Sequence, residues 1–460
     1  MADNKLFNKF CEVLGKENVF QDEADRLAYS YDAAVLAPSL PSIVLRPTTS
    51  EALGKAIRLC SENSLPITVR GAGTNLSGGT IPLPGGVVIL ITALNEIIEI
   101  NEEDLYAVVQ PGVITAKLAA EVESRGLFYP PDPGSQAVST LGGNVAENAG
   151  GLRGLRYGVT RDYVMALEFF DAEGELVKAG ARTVKCVTGY NLGGLLVGSE
   201  GTLGVFSKII LKLIPMPATQ KAMMAVFSEV PKATETVSAI IANHIVPVTL
   251  EFMDNFTIRA VEDYAHVGLP VDAAALLLIE VDGHPAQVEE EAAKVEELCR
   301  RMGALEVRVA QNAQERDKVW EARRAALSAL SRIKPTTVLE DATVPRSKVP
   351  AMIRSIDEIS RKFNILIGTF GHAGDGNLHP TILTDRRDKE EWIRVEQAID
   401  AIFDRALALG GTLSGEHGIG LAKSKYMEKE TGRATILYSR RIKSALDPKN
   451  ILNPGKIIGE

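Results

Sequence analysis

Two glycine-rich segments near the C-terminus hold three of the six histidines in this 460-residue chain. One reads Gly371-His372-Ala373-Gly374-Asp375-Gly376-Asn377-Leu378-His379, the other Ser414-Gly415-Glu416-His417-Gly418-Ile419-Gly420. Imidazole and carboxylate are ligands for a divalent metal of intermediate hardness. Three protein ligands and one open position make a catalytic site rather than a structural one. On one straight strand His372 and His379 would point to opposite faces. The Gly-x-Asp-Gly turn between them removes that difficulty, because strands over 363–370 and 378–383 joined by a loop at 373–377 form a hairpin. His372, His379 and Glu416 then supply three ligands. The donor set suits Zn²⁺, Fe²⁺ and Mn²⁺ alike. The plainer alternative makes both histidines hairpin residues bonded to backbone. Asp375 reads as a turn former and Asn377 as a substrate contact.

Other glycine-rich segments occur earlier. Arg70-Gly71-Ala72-Gly73-Thr74-Asn75-Leu76-Ser77-Gly78-Gly79 follows a strand candidate. Glycines let backbone approach a phosphate, and successive N–H groups can form an anion nest. It is not a nicotinamide fingerprint, since position 76 is Leu and no helix pattern follows. Alone it also reads as a ligand-free turn. The stretch from Pro131 through Ser139-Thr140-Leu141-Gly142-Gly143-Asn144 to Asn148-Ala149-Gly150-Gly151 is long and irregular in pattern, which suggests backbone wrapped around a ligand. Gly198-Ser199-Glu200-Gly201-Thr202-Leu203-Gly204-Val205 turns tightly into a strand.

The elements that must hold these residues follow from periodicity. At this length two or three domains are expected. Up to about 215, short helices alternate with strands. Helices are predicted over 50–63, with Ser50 as cap, and over 115–125; strands are predicted over 66–70, 87–92, 106–110, 164–171 and 204–214. From about 220, two strand–helix–strand units of similar length suggest a sheet with helices on one face, as in ferredoxin-like domains. A helix is predicted over 388–409.

The chain is 45% hydrophobic and 24% charged, with net charge -9, which argues against nucleic acid as a partner. The N-terminus lacks the apolar core of a signal peptide. The longest apolar runs are strand-sized, far below the roughly 20 residues that span a bilayer. Cys11, Cys60, Cys186 and Cys299 form no C-x-x-C, so no metal cluster is expected in this chain, and reduced thiols fit a cytoplasmic protein, with peripheral attachment at the inner face of the membrane as a variant.

In order along the chain, from Arg46-Pro47-Thr48 to Asn453-Pro454-Gly455-Lys456, these segments resemble the flavoprotein family that includes vanillyl-alcohol oxidase, the D-type subunit of glycolate oxidase, and D-lactate dehydrogenase. The histidine motifs resemble the C-terminal domain of its FAD-linked D-2-hydroxyacid dehydrogenases. The resemblance implies an α+β architecture: a vanillyl-alcohol oxidase type (PCMH) FAD-binding domain over 1–218, a ferredoxin-like substrate or cap domain over 219–425 carrying the metal site, and a segment over 426–460 packing back on the first. It places Arg70, Gly71, Ala72, Gly73, Thr74, Asn75 and Ser77 at the FAD pyrophosphate. Pro131, Ser135, Thr140, Gly142, Gly143, Asn148 and Gly151 line the flavin, Val205 meets the adenine side, and Asn453 completes the site. No histidine lies in the 70–79 loop where some relatives attach FAD, so noncovalent FAD is expected.

By the same resemblance His372, His379 and Glu416 hold the metal and His417 is the base. Val319-Trp320-Glu321-Ala322-Arg323 looks like the family's W-x-x-R, which makes Arg323 the carboxylate anchor; a solvated helix face is the alternative. Leu327 stands where relatives that take dicarboxylates carry a hydroxyl, which favours a small monocarboxylate. The implied reaction is oxidation of a D-2-hydroxy acid, D-lactate first, with glycolate, D-2-hydroxyglutarate or an adduct-forming ether-lipid synthase chemistry as alternatives. Electrons would pass to an electron-transfer flavoprotein, an iron–sulfur subunit or quinone. His244, His266 and His284 receive no role.

Overall fold

The structure is a computed structural model that describes residues 4–459. The outermost residues of the domains expected at 1–218 and 426–460, namely 1–3 and 460, lie outside the described residues. The chain divides into two compact units: Met1–Ala149, Val159–Met216 and Glu416–Glu460 form the first, Gly150–Gly158 and Pro217–Gly415 the second.

The first unit contains two main sheets. In one, Ile43–Leu45 and Ile67–Arg70 flank Val87–Leu90 in parallel, and Val19–Phe20 adds an antiparallel edge. Helices Asn4–Leu14 and Ser50–Glu62 cover it, with Phe10, Leu53, Ile57, Ile67, Val87 and Ile89 in the shared core. Thr49, not Ser50, caps the second helix: its hydroxyl accepts the Ala52 N–H at 3.1 Å. The other sheet is antiparallel, in the order Ile97–Asn101, Tyr106–Val109, Val205–Lys212, Val164–Phe170, Leu176–Gly180. The C-terminal segment returns to the edge of strand Ile67–Arg70, where Ile67 N–H meets the Ile451 carbonyl and Asn453 N–H meets the Ile67 carbonyl. The stretch around Thr140, expected to be irregular, forms a short helix, Leu141–Glu147, because the Thr140 hydroxyl caps it at Gly143 N–H, 3.2 Å away.

The second unit is one large sheet. Its elements are β1 (Thr219–Phe227), α1 (Val230–Ala242), β2 (Thr249–Asp254), α2 (Asn255–Ala265), β3 (Ala275–Gly283), α3 (Pro285–Arg301), β4 (Glu306–Val309), α4 (Ala313–Ser331), β5 (Thr336–Leu339), β6 (Ala342–Thr343), α5 (Val349–Phe363), β7 (Leu366–His372), β8 (Asn377–Thr384) and α6 (Lys389–Ala408). The strand order is β4-β1-β3-β2-β7-β8-β5, with β6 paired to β8. The first four strands pair in the order β4-β1-β3-β2, in the ferredoxin-like sheet that the repeated pattern suggests. The helices, however, do not share one face. α1 packs against both α3 and α5, whereas α2 and α4 pack together over Met224, Met253, Leu276, Leu278, Phe370 and Leu383. Those residues alternate along their strands, so the sheet is apolar on both sides and needs two layers of helix.

Strand β7 begins at Leu366 rather than 363, because α5 runs through Phe363 and ends on Asn364 in the left-handed conformation. The hairpin itself forms. His372 pairs with Asn377 and Phe370 with His379 across it.

Candidate active site

Register puts the chemistry of the second unit on one face. Phe370 and His372 alternate along β7, and Asn377 and His379 stand opposite them on β8. The turn between is tight. Gly376 has φ +91°, and a Cβ there would lie 2.0 Å from the Val344 carbonyl oxygen. Asp375 accepts the Asn377 N–H at 3.2 Å, which is the turn-forming role. The two imidazoles meet edge to face, with ring centroids 5.0 Å apart, and both are buried.

Each imidazole has a carboxylate at Nδ1. Glu251 Oε1 lies 2.7 Å from His372 Nδ1, and Asp341 Oδ1 lies 3.5 Å from His379 Nδ1. The Glu251 bond to His372 is how metal-binding histidines are commonly oriented, because a carboxylate hydrogen-bonded to one ring nitrogen fixes the tautomer and leaves the other as the coordinating atom; Asp341, at 3.5 Å, is a charged neighbour of His379. Glu251 does more. Its Oε2 accepts Arg323 Nε at 2.5 Å, and the Arg323 guanidinium stacks over the Phe370 ring at 4.6 Å. Arg323 is therefore turned inward on α4 rather than lying on a solvated face. Its Nε is engaged, so the Nη edge of the fork is the edge suited to a carboxylate ligand.

Glu251 has no solvent-exposed surface. Burial alone would raise its carboxyl, but His372 and Arg323 outweigh it and hold the group at about 2. Asp341 Oδ2 accepts the Ser414 hydroxyl at 2.8 Å and the Gly415 N–H at 3.0 Å. Asn377 Oδ1 accepts the Thr343 hydroxyl at 2.9 Å. A Cβ at Gly415 would fall 2.5 Å from Thr343 Oγ1, so this strand of backbone is pinned where only glycine fits. Glu251, Asp341 and Thr343 were missed by motif reading. One signal was available: Glu251 is the lone acid inside the otherwise apolar run Leu250-Glu251-Phe252-Met253.

Glu416 and His417 open the last segment of the first unit, one peptide bond beyond Gly415. Their side chains lie 3.9 Å apart. The loop after them is held firmly, since Glu200 takes the N–H groups of Ile419 and Gly420, both at 2.7 Å, and the Ser77 carbonyl takes those of Leu421 and Ala422, both at 2.9 Å.

Of the remaining predicted residues of the first unit, Thr140 and Asn453 contact the 70–79 loop. Gly71 lies so close to Thr140 that a Cβ would meet its hydroxyl at 2.2 Å. Gly73 and Gly78 have φ of +72° and +79° and turn the loop, with Ala72 and Thr74 on it. Arg70 lies over the Tyr29 ring, and Asn75 donates to Asp32 at 2.7 Å. Asn453 donates to the carbonyls of Gly79 and Glu200, at 2.9 and 2.7 Å. Gly142 packs on Pro111, Asn148 accepts the Arg161 N–H at 2.9 Å, and Val205 is buried at the start of its strand. Pro131 is buried, and Ser135 accepts the N–H groups of Val138 and Ser139. Gly143 is the residue capped by Thr140. Gly151 belongs to the second unit.

Two buried hydroxyls here, Ser77 Oγ and Ser199 Oγ, have no hydrogen-bond partner among the described residues. Partnerless donors on glycine turns fit a pyrophosphate, which offers acceptors only. The paired imidazoles with adjacent carboxylates could likewise hold a metal ion.

Comparison with known proteins agrees with this chemistry. Residues 41–180 match the family described as FAD binding domain, and residues 216–457 match FAD linked oxidases, C-terminal domain. Over all 460 residues the chain is 51% identical to glycolate oxidase subunit GlcD of Bacillus subtilis, covering 98% of that protein. The chain belongs to the FAD-linked oxidases. Within them it is of the glycolate oxidase GlcD / D-lactate dehydrogenase type: a D-lactate dehydrogenase of Anaerostipes hadrus is 34% identical over 98% of this chain and 97% of its own length. The fold of this FAD-linked oxidase is that of p-cresol methylhydroxylase, with a TM-score of 0.82 at 18% identity over 99% of this chain and 97% of that one. Among its described residues no helix is long and apolar enough to cross a membrane.

Proposed function

We propose that this FAD-linked oxidase oxidises a small 2-hydroxy acid, with glycolate ahead of D-lactate. The observation that carries the reading is the Arg323–Glu251–His372 chain, a carboxylate-binding guanidinium tied through one buried acid to a candidate metal ligand. Glycolate moves ahead because the relative named for it is more similar than the one named for D-lactate, at 51% against 34% identity.

His372, His379 and Glu416 would hold a divalent metal, which supplies Lewis acidity toward a substrate hydroxyl. FAD, held noncovalently by the first unit, supplies a hydride acceptor. The protein's own groups do the rest. Arg323 binds the substrate carboxylate through its Nη edge. Asn377, fixed by Thr343, contacts the substrate. His417 takes the hydroxyl proton as general base. With that proton on His417 and the Cα hydrogen gone as hydride, the 2-hydroxy acid has lost two electrons and two protons and become the 2-oxo acid. The electrons then leave for a partner protein or quinone, consistent with the GlcD relative being named a subunit.

The test is the visible spectrum of the purified protein mixed anaerobically with glycolate, D-lactate, L-lactate and D-2-hydroxyglutarate, before and after chelation. Bleaching by glycolate, lost with chelator and restored by metal, is expected. Bleaching by D-lactate alone would reverse the substrate order. A yellow protein that none of the four acids bleaches would end the dehydrogenase reading and favour adduct chemistry.

A further inference from the structure

Strands β2 and β3 are antiparallel neighbours, and their register sets Thr249 opposite Glu280 and Glu251 opposite Leu278. Residues two apart on a strand share a face, so Glu251 and Glu280 stand on the same side of the sheet as diagonal neighbours. Leu276 and Leu278 share that side and pack in one core with α4. Both acids are buried, Glu251 fully and Glu280 to 8% exposure. Each takes one donor from α4: Glu251 accepts Arg323 Nε, and Glu280 Oε2 accepts Trp320 Nε1 at 2.7 Å. Trp320 and Arg323 are three residues apart, about one turn along one helix face.

The two acids thus hold α4 at two points, which its apolar contacts do less sharply. The buried residues of α4 are Trp320, Ala322, Ala326, Ala329 and Leu330. Alanines form shallow ridges, which restrain the turning and sliding of a helix only loosely. A bond at Arg323 alone leaves freedom too, because a long side chain can follow a moving backbone by changing rotamer. The Trp320 indole is rigid and has a single donor. Bonded to Glu280, it fixes the rotation of the helix one turn before Arg323, and so the direction in which the Nη edge of Arg323 faces.

Burial raises the Glu280 carboxyl, and the Trp320 N–H, Arg153 and Arg316 counter that only in part. The contact does not depend on the charge. An indole N–H needs an acceptor oxygen, and a carboxyl offers one whether it is ionised or neutral.

We propose that Glu280 is a positioning residue for substrate binding: through Trp320 it sets α4, and with it the Arg323 fork that takes the substrate carboxylate. This rests on the reading that Arg323 anchors a 2-hydroxy acid.

The test compares Glu280→Gln, which keeps an acceptor for Trp320, with Glu280→Leu, which has none. KM and kcat for glycolate are measured on the holoenzyme with a small dye as acceptor. Calorimetry gives the Kd of 2-hydroxyisobutyrate, which has the carboxylate and the hydroxyl but no Cα hydrogen to give up. Glu280→Leu should raise KM and Kd about tenfold, with kcat, flavin content and metal content unchanged, the pattern of lost substrate binding. Glu280→Gln should match wild type. In an Arg323→Lys background, Glu280→Leu should add less than about twofold, because the group it acts through is gone. Trp320→Phe removes the donor instead of the acceptor; it should repeat the Glu280→Leu result, and it decides the matter if Glu280→Leu does not fold.

An unchanged KM and Kd in Glu280→Leu overturns the proposal. So do equal losses in the Gln and Leu variants, the full effect persisting beside Arg323→Lys, or a fall in kcat with KM intact. If wild type oxidises no 2-hydroxy acid, the dehydrogenase reading fails, while the Kd series still reports whether Glu280 positions Arg323. A wild type that neither oxidises nor binds such acids ends both.

Discussion

Glu251 and His372 share a 2.7 Å hydrogen bond between neighbouring strands, although 121 residues separate them in sequence. The other oxygen of the same carboxylate holds Arg323. One buried acid thus fixes the orientation of a candidate metal ligand and of a candidate substrate anchor together.

Glu251→Gln should disturb both at once. The amide has one acceptor where the carboxylate has two, so either His372 or Arg323 loses its partner. Metal affinity should fall roughly 10–100-fold, the usual cost of losing a carboxylate behind a ligating histidine. KM for the hydroxy acid should rise with it. Metal content after dialysis against graded chelator checks the first effect, and an unchanged affinity would show that the bridge is only structural.

Arg323→Lys keeps the charge and removes the planar fork. KM for glycolate should rise about tenfold, equivalent to about 1.4 kcal/mol, with metal content unchanged. Steady-state kinetics with dye as acceptor measures this. Equal KM values would move the carboxylate anchor to another residue.

His417→Ala should lower kcat by roughly 10²–10⁴, the range for loss of a general base. Flavin and metal should stay bound, which absorbance and metal analysis verify in the same samples. Hydroxy-acid oxidation at the wild-type rate would remove His417 from the base role.

Gly376→Ala should damage the site without touching a ligand. Its φ of +91° and the Val344 oxygen 2.0 Å from a Cβ leave the methyl nowhere to go. A loss of about 2–3 kcal/mol in stability and a drop in bound metal are expected, read by thermal unfolding and metal analysis. A variant with wild-type melting and metal content would mean that the hairpin turn tolerates rearrangement.

Asp254 gives a pH dependence. It caps α2 from a half-buried position, taking the N–H groups of Thr257 and Thr369 at 2.7 Å each. Burial pushes its carboxyl up to about 6. The folded state therefore holds the proton more tightly than the unfolded state, where Asp titrates near ~3.9. The stabilisation is complete below about 4 and is lost as pH rises through about 6. Between pH 5 and pH 7 the group should take away about 1 kcal/mol. Asp254→Asn, which can still cap, should flatten that part of the stability profile in urea unfolding. An identical slope in the variant would assign the titration elsewhere.

Much of the fold was legible because it rests on local periodicity. The repeated strand–helix pattern from 220 to 310 predicts a ferredoxin-like sheet, and the Gly-x-Asp-Gly turn predicts a hairpin that sets His372 and His379 on one face. What failed was local competition between near-equal signals. Thr49 displaced Ser50 as cap, and Thr140 nucleated a helix in a stretch that looked irregular, because one hydroxyl placed at the right backbone N–H outweighs weak propensity.

The sequence by itself determined the element types, the glycine turns and the set of imidazoles and carboxylates able to do chemistry, since these depend on residue type and short-range spacing. Tertiary structure alone decided which distant groups meet. Glu251 reaches His372 and Arg323, Asp341 reaches His379 and Gly415, and Gly150–Gly158 joins the second unit, where Tyr157 bonds Asp282 at 2.7 Å. No short-range pattern encodes those meetings, because a buried carboxylate is tolerated only where folding brings a cation or donor to it.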